Sequence, residues 1–163
     1  MIHIQPATSL ADYKCISKLA HTIWHEHYIT IISIEQIEYM LEKYNSVKSI
    51  EKSAKEGILF FYMTFDDVPV GYIAIEKETD FIYISKLYVL KSYRGKKIAK
   101  TALLFAESLA LEEDISTMKL HVNKYNKNSI SAYEKMGFVN TESSITDIGK
   151  GFVMDDYLMV KMI

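Results

Sequence analysis

SKLYVLKSYRGKKIAKTALL, Ser85 to Leu104, joins an apolar stretch to a helical pattern through a short basic loop. On its N-terminal side, FIYISKLYVL is apolar on both faces, which predicts a buried central strand. On its C-terminal side, Ile98, Ala102, Phe105, Ala106 and Leu109 recur at helical spacing and predict a helix over roughly Lys97 to Glu113. A strand that feeds a helix this way leaves the first-turn N–H groups unpaired, at the positive end of the helix dipole. Phosphate binds readily there. Gly95 admits a ligand close to the backbone, and Arg94, Lys96 and Lys97 add charge. Taken alone, the loop is accounted for equally well as a solvated basic turn.

Two nucleotide motifs fail on this stretch. A P-loop would need glycines where Arg94 and Ala99 stand, and no G-x-G-x-x-G is present.

Working outward, IHIQPA reads as a short strand ended by Pro6. Ser9 caps a helix predicted to run to about His21, with Leu10, Tyr13, Ile16, Leu19 and Ala20 on one face. Ser33 caps IEQIEYMLEKY, and SVKSIEKSAKEG is a short helix stopped by Gly57. GILFFYMTF and VGYIAIEKE flank the turn DDVP as a hairpin. Beyond the long helix come the strand STMKLHVN, the helix NSISAYEKM, and closing strands in GFVNTES and GFVMDDYLMVKMI. The order β-αα-βββ-α-β-α-ββ gives an α/β (α+β) chain: a mixed, mostly antiparallel sheet of about seven strands with helices on both faces. FIYISKLYVL and STMKLHVN, joined by a helix, should be parallel through a right-handed crossover.

The 163 residues fit one domain, 1–163, with 49% hydrophobic and 25% charged residues. A net charge of −2 argues against bulk binding to nucleic acid or membrane, which makes a local basic cluster more informative. The single cysteine, Cys15, excludes an intramolecular disulfide and a Cys-rich metal site, and falls near an apolar helix face. No signal peptide or spanning segment is read, so a cytoplasmic location is expected.

NKNSISAYEKMGF, Asn126 to Phe138, supplies a second motif. It resembles the N-x-x-[AS]-x-x-x-Y-E-K-x-G-F of the GNAT N-acetyltransferase superfamily at Asn126, Ser129, Tyr133, Glu134, Lys135, Gly137 and Phe138. The opening stretch resembles the same superfamily's acyl-CoA signature, an L-x-V strand followed by [RQ]-x-x-G-x-[GA]. Leu87, Tyr88 and Val89 match the strand, and Arg94 to Ala99 occupy the loop. Lys97 departs from the pattern, standing where the family usually has its first glycine.

The resemblance implies an acetyl-CoA-dependent N-acetyltransferase acting on a small-molecule amine, and a loose similarity to bacterial polyamine acetyltransferases suggests a polyamine. It implies that Leu87, Tyr88 and Val89 pair with the pantetheine arm, that Arg94, Gly95, Lys96, Lys97, Ile98, Ala99 and Lys100 receive the pyrophosphate, and that Asn126 and Ser129 face the arm. Tyr133 is the implied general acid toward the departing thiolate. Read as packing, Tyr133 shares a helix face with Ile130 and Met136. Trp24, His25, Tyr28, Asp155 and Asp156 are acceptor-site candidates, each with a packing or surface role as the alternative. Many relatives place a glutamate on the central strand, but this chain has Ser85-Lys86. Glu76, Glu78, His25, Glu26, His27, Asp155 and Asp156 remain open as bases. IWHEHY is expected to be a loop between the first two helices. His25 and His27 would not share a helix face, so no metal site is expected. His121 is read as structural. An inactive acyl-CoA sensor and a protein acetyltransferase are the alternatives, and a homodimer is left open.

Overall fold

The computed structural model describes all residues, 1–163. The chain order is β1 (Ile2–Pro6), α1 (Leu10–Tyr28), α2 (Ile34–Asn45), α3 (Val47–Lys55), β2 (Leu59–Phe65), β3 (Val68–Lys77), β4 (Ile82–Val89), α4 (Ile98–Glu112), β5 (Thr117–Asn123), α5 (Lys127–Lys135), β6 (Val139–Gly149) and β7 (Phe152–Met162). One seven-stranded sheet runs β1-β2-β3-β4-β5-β7-β6. Every neighbouring pair is antiparallel except β4 and β5, the pair joined by the α4 crossover.

The caps explain where the N-terminal helices begin. Ser9 accepts from the Asp12 N–H while the Asp12 carboxylate accepts from the Ser9 N–H, a reciprocal capping box. Ser33 and Ser46 cap α2 and α3 in the same sense. Helix α1 does not stop at His21, as the sequence reading has it; it continues through IWHEHY to Tyr28. Nothing between His21 and Tyr28 breaks a helix, and Trp24 and Tyr28, four apart, bury together at a ring separation of 4.5 Å. Leu10, placed on the buried stripe, is exposed. On α4 the fully buried stripe is Ile98, Ala102, Leu103, Ala106 and Ala110, while Phe105 and Leu109 pack at its margin.

Two cores flank the sheet. One lies between the sheet and α4, with Ile130, Tyr133 and Met136 of α5 at its edge. The other lies between the sheet and α1–α3, around Ile16, Ile23, Ile37, Ile50 and Tyr72. Burying each such aliphatic side chain contributes about 1.5–3 kcal/mol. No helix is long and apolar enough to cross a membrane.

The Ser9 cap gives a local test of this frame. Ser9→Ala should cost about 1 kcal/mol, read as a lower midpoint in urea with an unchanged slope. An unchanged midpoint would show that α1 is held by packing alone.

Candidate active site

The site begins where the parallel pair stops. β4 and β5 pair only through Ile82–Ile84 and Met118–Leu120. Ala74 of β3 lies opposite Lys86 and Ile75 opposite Ile84, so Ser85 is an extra, bulged residue. The bulge reverses the alternation of faces. Ile82 and Ile84 point into the α4 core before it, and Leu87 and Val89 do so after it. Lys86 and Tyr88 are thereby turned toward α1 and α2, where Tyr88 packs. From Ser85 to Val89 the β4 edge facing β5 has no strand partner, and a cavity of about 780 Å³ opens along it.

Arg94, Gly95, Lys97, Ile98, Ala99 and Lys100 line one end of this cavity. The N–H groups of residues 95–100 find no backbone acceptor in the protein. Helix α4 has no side-chain cap. An alanine Cβ at Gly95 would meet nothing within 4 Å, so the approach is open. Gly95 and Lys97 both have positive φ, +80° and 65°. The position that lacks the expected glycine therefore still adopts a glycine conformation, and Lys97 bears the steric strain of a Cβ in it. Lys96 does not line the cavity; its ammonium lies 5.3 Å from the Phe65 ring centroid, on the outer side of the loop.

Helix α1 braces the same loop. Glu26 accepts from the Lys91 N–H at 2.7 Å, and an Arg94 N–H donates to His27 Nδ1 at 3.1 Å. Burial, then the Arg94 charge, push the His27 pKa down, so the ring is neutral at neutral pH. Because IWHEHY is helical, Trp24, His27 and Tyr28 face the cavity together while His25 turns outward. His25 instead bonds the His21 carbonyl and, at 2.6 Å, Glu38. The placement of His25 near the acceptor end is thus corrected by the helix.

Asn126, the N-cap of α5, and Ser129 and Tyr133, three and seven residues on, line the opposite wall. Burial raises the Tyr133 phenol above its ordinary pKa, so it is a proton donor at neutral pH. Its ring packs edge-on against Phe138, so the packing role coexists with a place on the cavity wall.

At the remaining end, α2 is tied to β6–β7. Gln36 donates to the Val153 carbonyl at 2.8 Å, and Tyr39 and Lys43 both donate to the Ile148 carbonyl, at 2.5 and 2.6 Å. Trp24, Tyr28, Ile32, Met40, Tyr88 and Met154 make the lining largely apolar and aromatic. Asp156 is the one carboxylate on the cavity wall. Asp155, the next residue on β7, points to the other face and pairs with Lys124 at 2.7 Å; strand alternation excludes it from the cavity. Sequence reasoning missed, among others, Lys86, His121 and Gln36 as lining residues. Lys86, whose pKa burial pushes down to about 8 against the opposing pull of Glu76, was passed over for lacking a carboxylate. His121, read as structural, is exposed to the cavity and bonds Tyr83 at 2.6 Å. Gln36 carried no signal, because its role depends on β7.

Comparison with known proteins follows this geometry. The model of the acetyltransferase (GNAT) family matches residues 18–138. A spermidine N(1)-acetyltransferase of Thermoplasma acidophilum is 29% identical over 152 residues, 90% of this chain and 92% of that one. The crystal structure of PaiA N-acetyltransferase from Thermoplasma acidophilum in complex with coenzyme A superposes with a TM-score of 0.85 at 27% identity, covering 100% of this chain and 99% of that one. The ribosomal-protein-S18-alanine N-acetyltransferase of Escherichia coli shares the fold, with a TM-score of 0.74 at 15% identity, covering 100% of this chain and 94% of that one.

Proposed function

The chain belongs to the GNAT family of acetyl-CoA-dependent N-acetyltransferases, and from that premise we propose that residues 1–163 form one catalytic domain acetylating a primary amine of a small cationic molecule, with polyamines as the first candidates. Acetyl-CoA supplies an activated acetyl thioester. The residues present fit it. The unpaired N–H groups of residues 95–100, with Arg94, Lys97 and Lys100, form a cradle for the pyrophosphate. The open β4 edge at Leu87, Tyr88 and Val89 offers backbone groups to the amide-bearing arm and a donor to the thioester carbonyl. Asn126 and Ser129 hold the arm from α5, and the Tyr133 O–H gives its proton to the departing sulfur.

The observation that carries the small-amine reading is the strap of Gln36, Tyr39 and Lys43 onto β6–β7. It ties α2 to β6–β7 beside the aromatic lining, which favours a pocket over a groove that a peptide could cross. The relative that acetylates spermidine supports the same reading. Trp24 and Tyr28 contact the amine's carbon chain, and Asp156 its charge.

An amine screen with detection of free thiol tests this. Release is expected with spermidine or spermine and none with short peptides. Peptide turnover without small-amine turnover would transfer the chain to protein substrates. Clear CoA binding by calorimetry with no thiol release across the panel would make it an acyl-CoA-binding module.

Lys97 offers a second test. Lys97→Gly relieves the left-handed strain, so the variant should be as stable as the parent or up to about 1 kcal/mol more stable. If the cradle works through backbone N–H groups, CoA affinity should stay within about fivefold, the scale of one exposed charge at a helix terminus. A larger loss by calorimetry would assign the phosphate contact to the lysine side chain.

A further inference from the structure

Asp156 is only 6% exposed, yet its carboxylate accepts no hydrogen bond and joins no ion pair within the protein. Buried carboxylates are normally paired, because an unpaired one costs several kcal/mol of lost hydration. Its place is fixed by register. Asp156 lies opposite Asn123 of β5, on the sheet face that also carries His121, two residues earlier on β5. Both line the cavity beyond the point where β4 and β5 part. His121 is itself held by the Tyr83 hydroxyl. Burial and nearby charge push the phenol's pKa up to about 12, and its hydroxyl lies 2.6 Å from His121 Nδ1.

We propose that Asp156 receives the ammonium group of the acceptor amine and takes its proton, serving as the base that the central strand of this chain lacks. The assignment rests on the amine-acetyltransferase reading above. A free alkylammonium has a pKa of about 10.4 and no lone pair with which to attack. Asp156 attracts it and breaks one N–H bond, forming O–H on its own carboxyl. The neutral nitrogen forms the C–N bond as the C–S bond breaks. The sulfur takes the Tyr133 proton, and the nitrogen's second proton restores the Tyr133 phenol. Asp156 returns its proton to water, so one proton is released per acetyl group transferred.

The charged and titratable groups around Asp156 fit this role. Burial raises its pKa, bringing it closer to that of the ammonium. His121 from β5 and Lys124 after β5 oppose that rise, while Asp155 on β7 adds to it. Tyr28 of α1 and Tyr83 of β4 face it as neutral phenols.

The test uses Asp156→Asn and Asp156→Glu in the full chain, with the best amine from the screen. For Asp156→Asn, kcat/KM near pH 7 should fall about a hundredfold. The deficit should shrink as pH rises toward the amine pKa, where free amine is present. Asp156→Glu should recover part of the loss, and CoA affinity by calorimetry should be unchanged in both. Stability separates a base from a structural residue. A raised carboxyl pKa means that ionisation, as pH rises past the ordinary Asp range, costs folded-state stability. Asp156→Asn should therefore melt higher than the parent at pH 8, and the gap should close near pH 4. A lower Tm at pH 8, a deficit independent of pH, or an unaltered kcat/KM would overturn the assignment. A parent enzyme that turns over no small amine would instead overturn the proposed function, and the assignment with it.

Discussion

Tyr133→Phe is expected to lower kcat by about 10²–10⁴-fold while CoA binds with its original affinity. The range is that of a positioned proton donor. Burial keeps the phenol protonated at neutral pH, and its hydroxyl lies on the cavity wall with Asn126 and Ser129. Phenylalanine keeps the ring that packs against Phe138 and the α4 core, so the fold should persist. The substitution thus separates the two readings of this residue. Loss of turnover with an unchanged melting temperature assigns the proton to Tyr133. Full turnover would leave it a packing residue and move the proton to water. An acetyl donor with a much better leaving group than an alkyl thiol, supplied as an aryl thioester, should restore part of the lost rate, since a stable thiolate needs no acid.

Gly71→Ala is expected to destabilise the protein by about 1–3 kcal/mol, the range for forcing a methyl group into a packed interior. For a chain of this size that lowers Tm by roughly 3–10 °C. The reason is local. A Cβ on Gly71 would lie 2.4 Å from the Tyr88 carbonyl oxygen and 3.1 Å from the Met63 terminal methyl. The first is backbone and cannot rotate away. Gly71 pairs with Val89 at the end of β4, directly beside the unpartnered edge. The clash should therefore also shift Leu87 to Val89 and weaken CoA binding. Unchanged Tm and affinity would show that β3 relaxes without moving β4.

Much of this chain could be read without coordinates, for reasons that differ by element. The starts of α1 and α2 were legible because Ser9 and Ser33 satisfy N–H groups within three residues of themselves. The strands were legible from apolar runs bounded by turn residues, such as Asp66 and Asp67, which take positive φ in the β2–β3 turn. The end of α1 was not. Its extension to Tyr28 depends on Trp24 and Tyr28 stacking near Tyr88, a residue sixty positions away.

The sequence by itself determined the element order, the two motifs on α4 and α5, and the basic loop between β4 and α4, because these rest on contacts a few residues long. It also marked Lys97 as irregular, though not that its backbone would adopt the glycine conformation regardless. Only the tertiary structure decided which residues share the cavity. One bulge at Ser85 turns Lys86 and Tyr88 toward α1 and α2, and one strand register puts Asp156 inside while Asp155 points out. A shift of one residue in either strand would exchange those faces. Local patterns do not encode register, so the acceptor end of the site emerges only when the whole sheet is assembled.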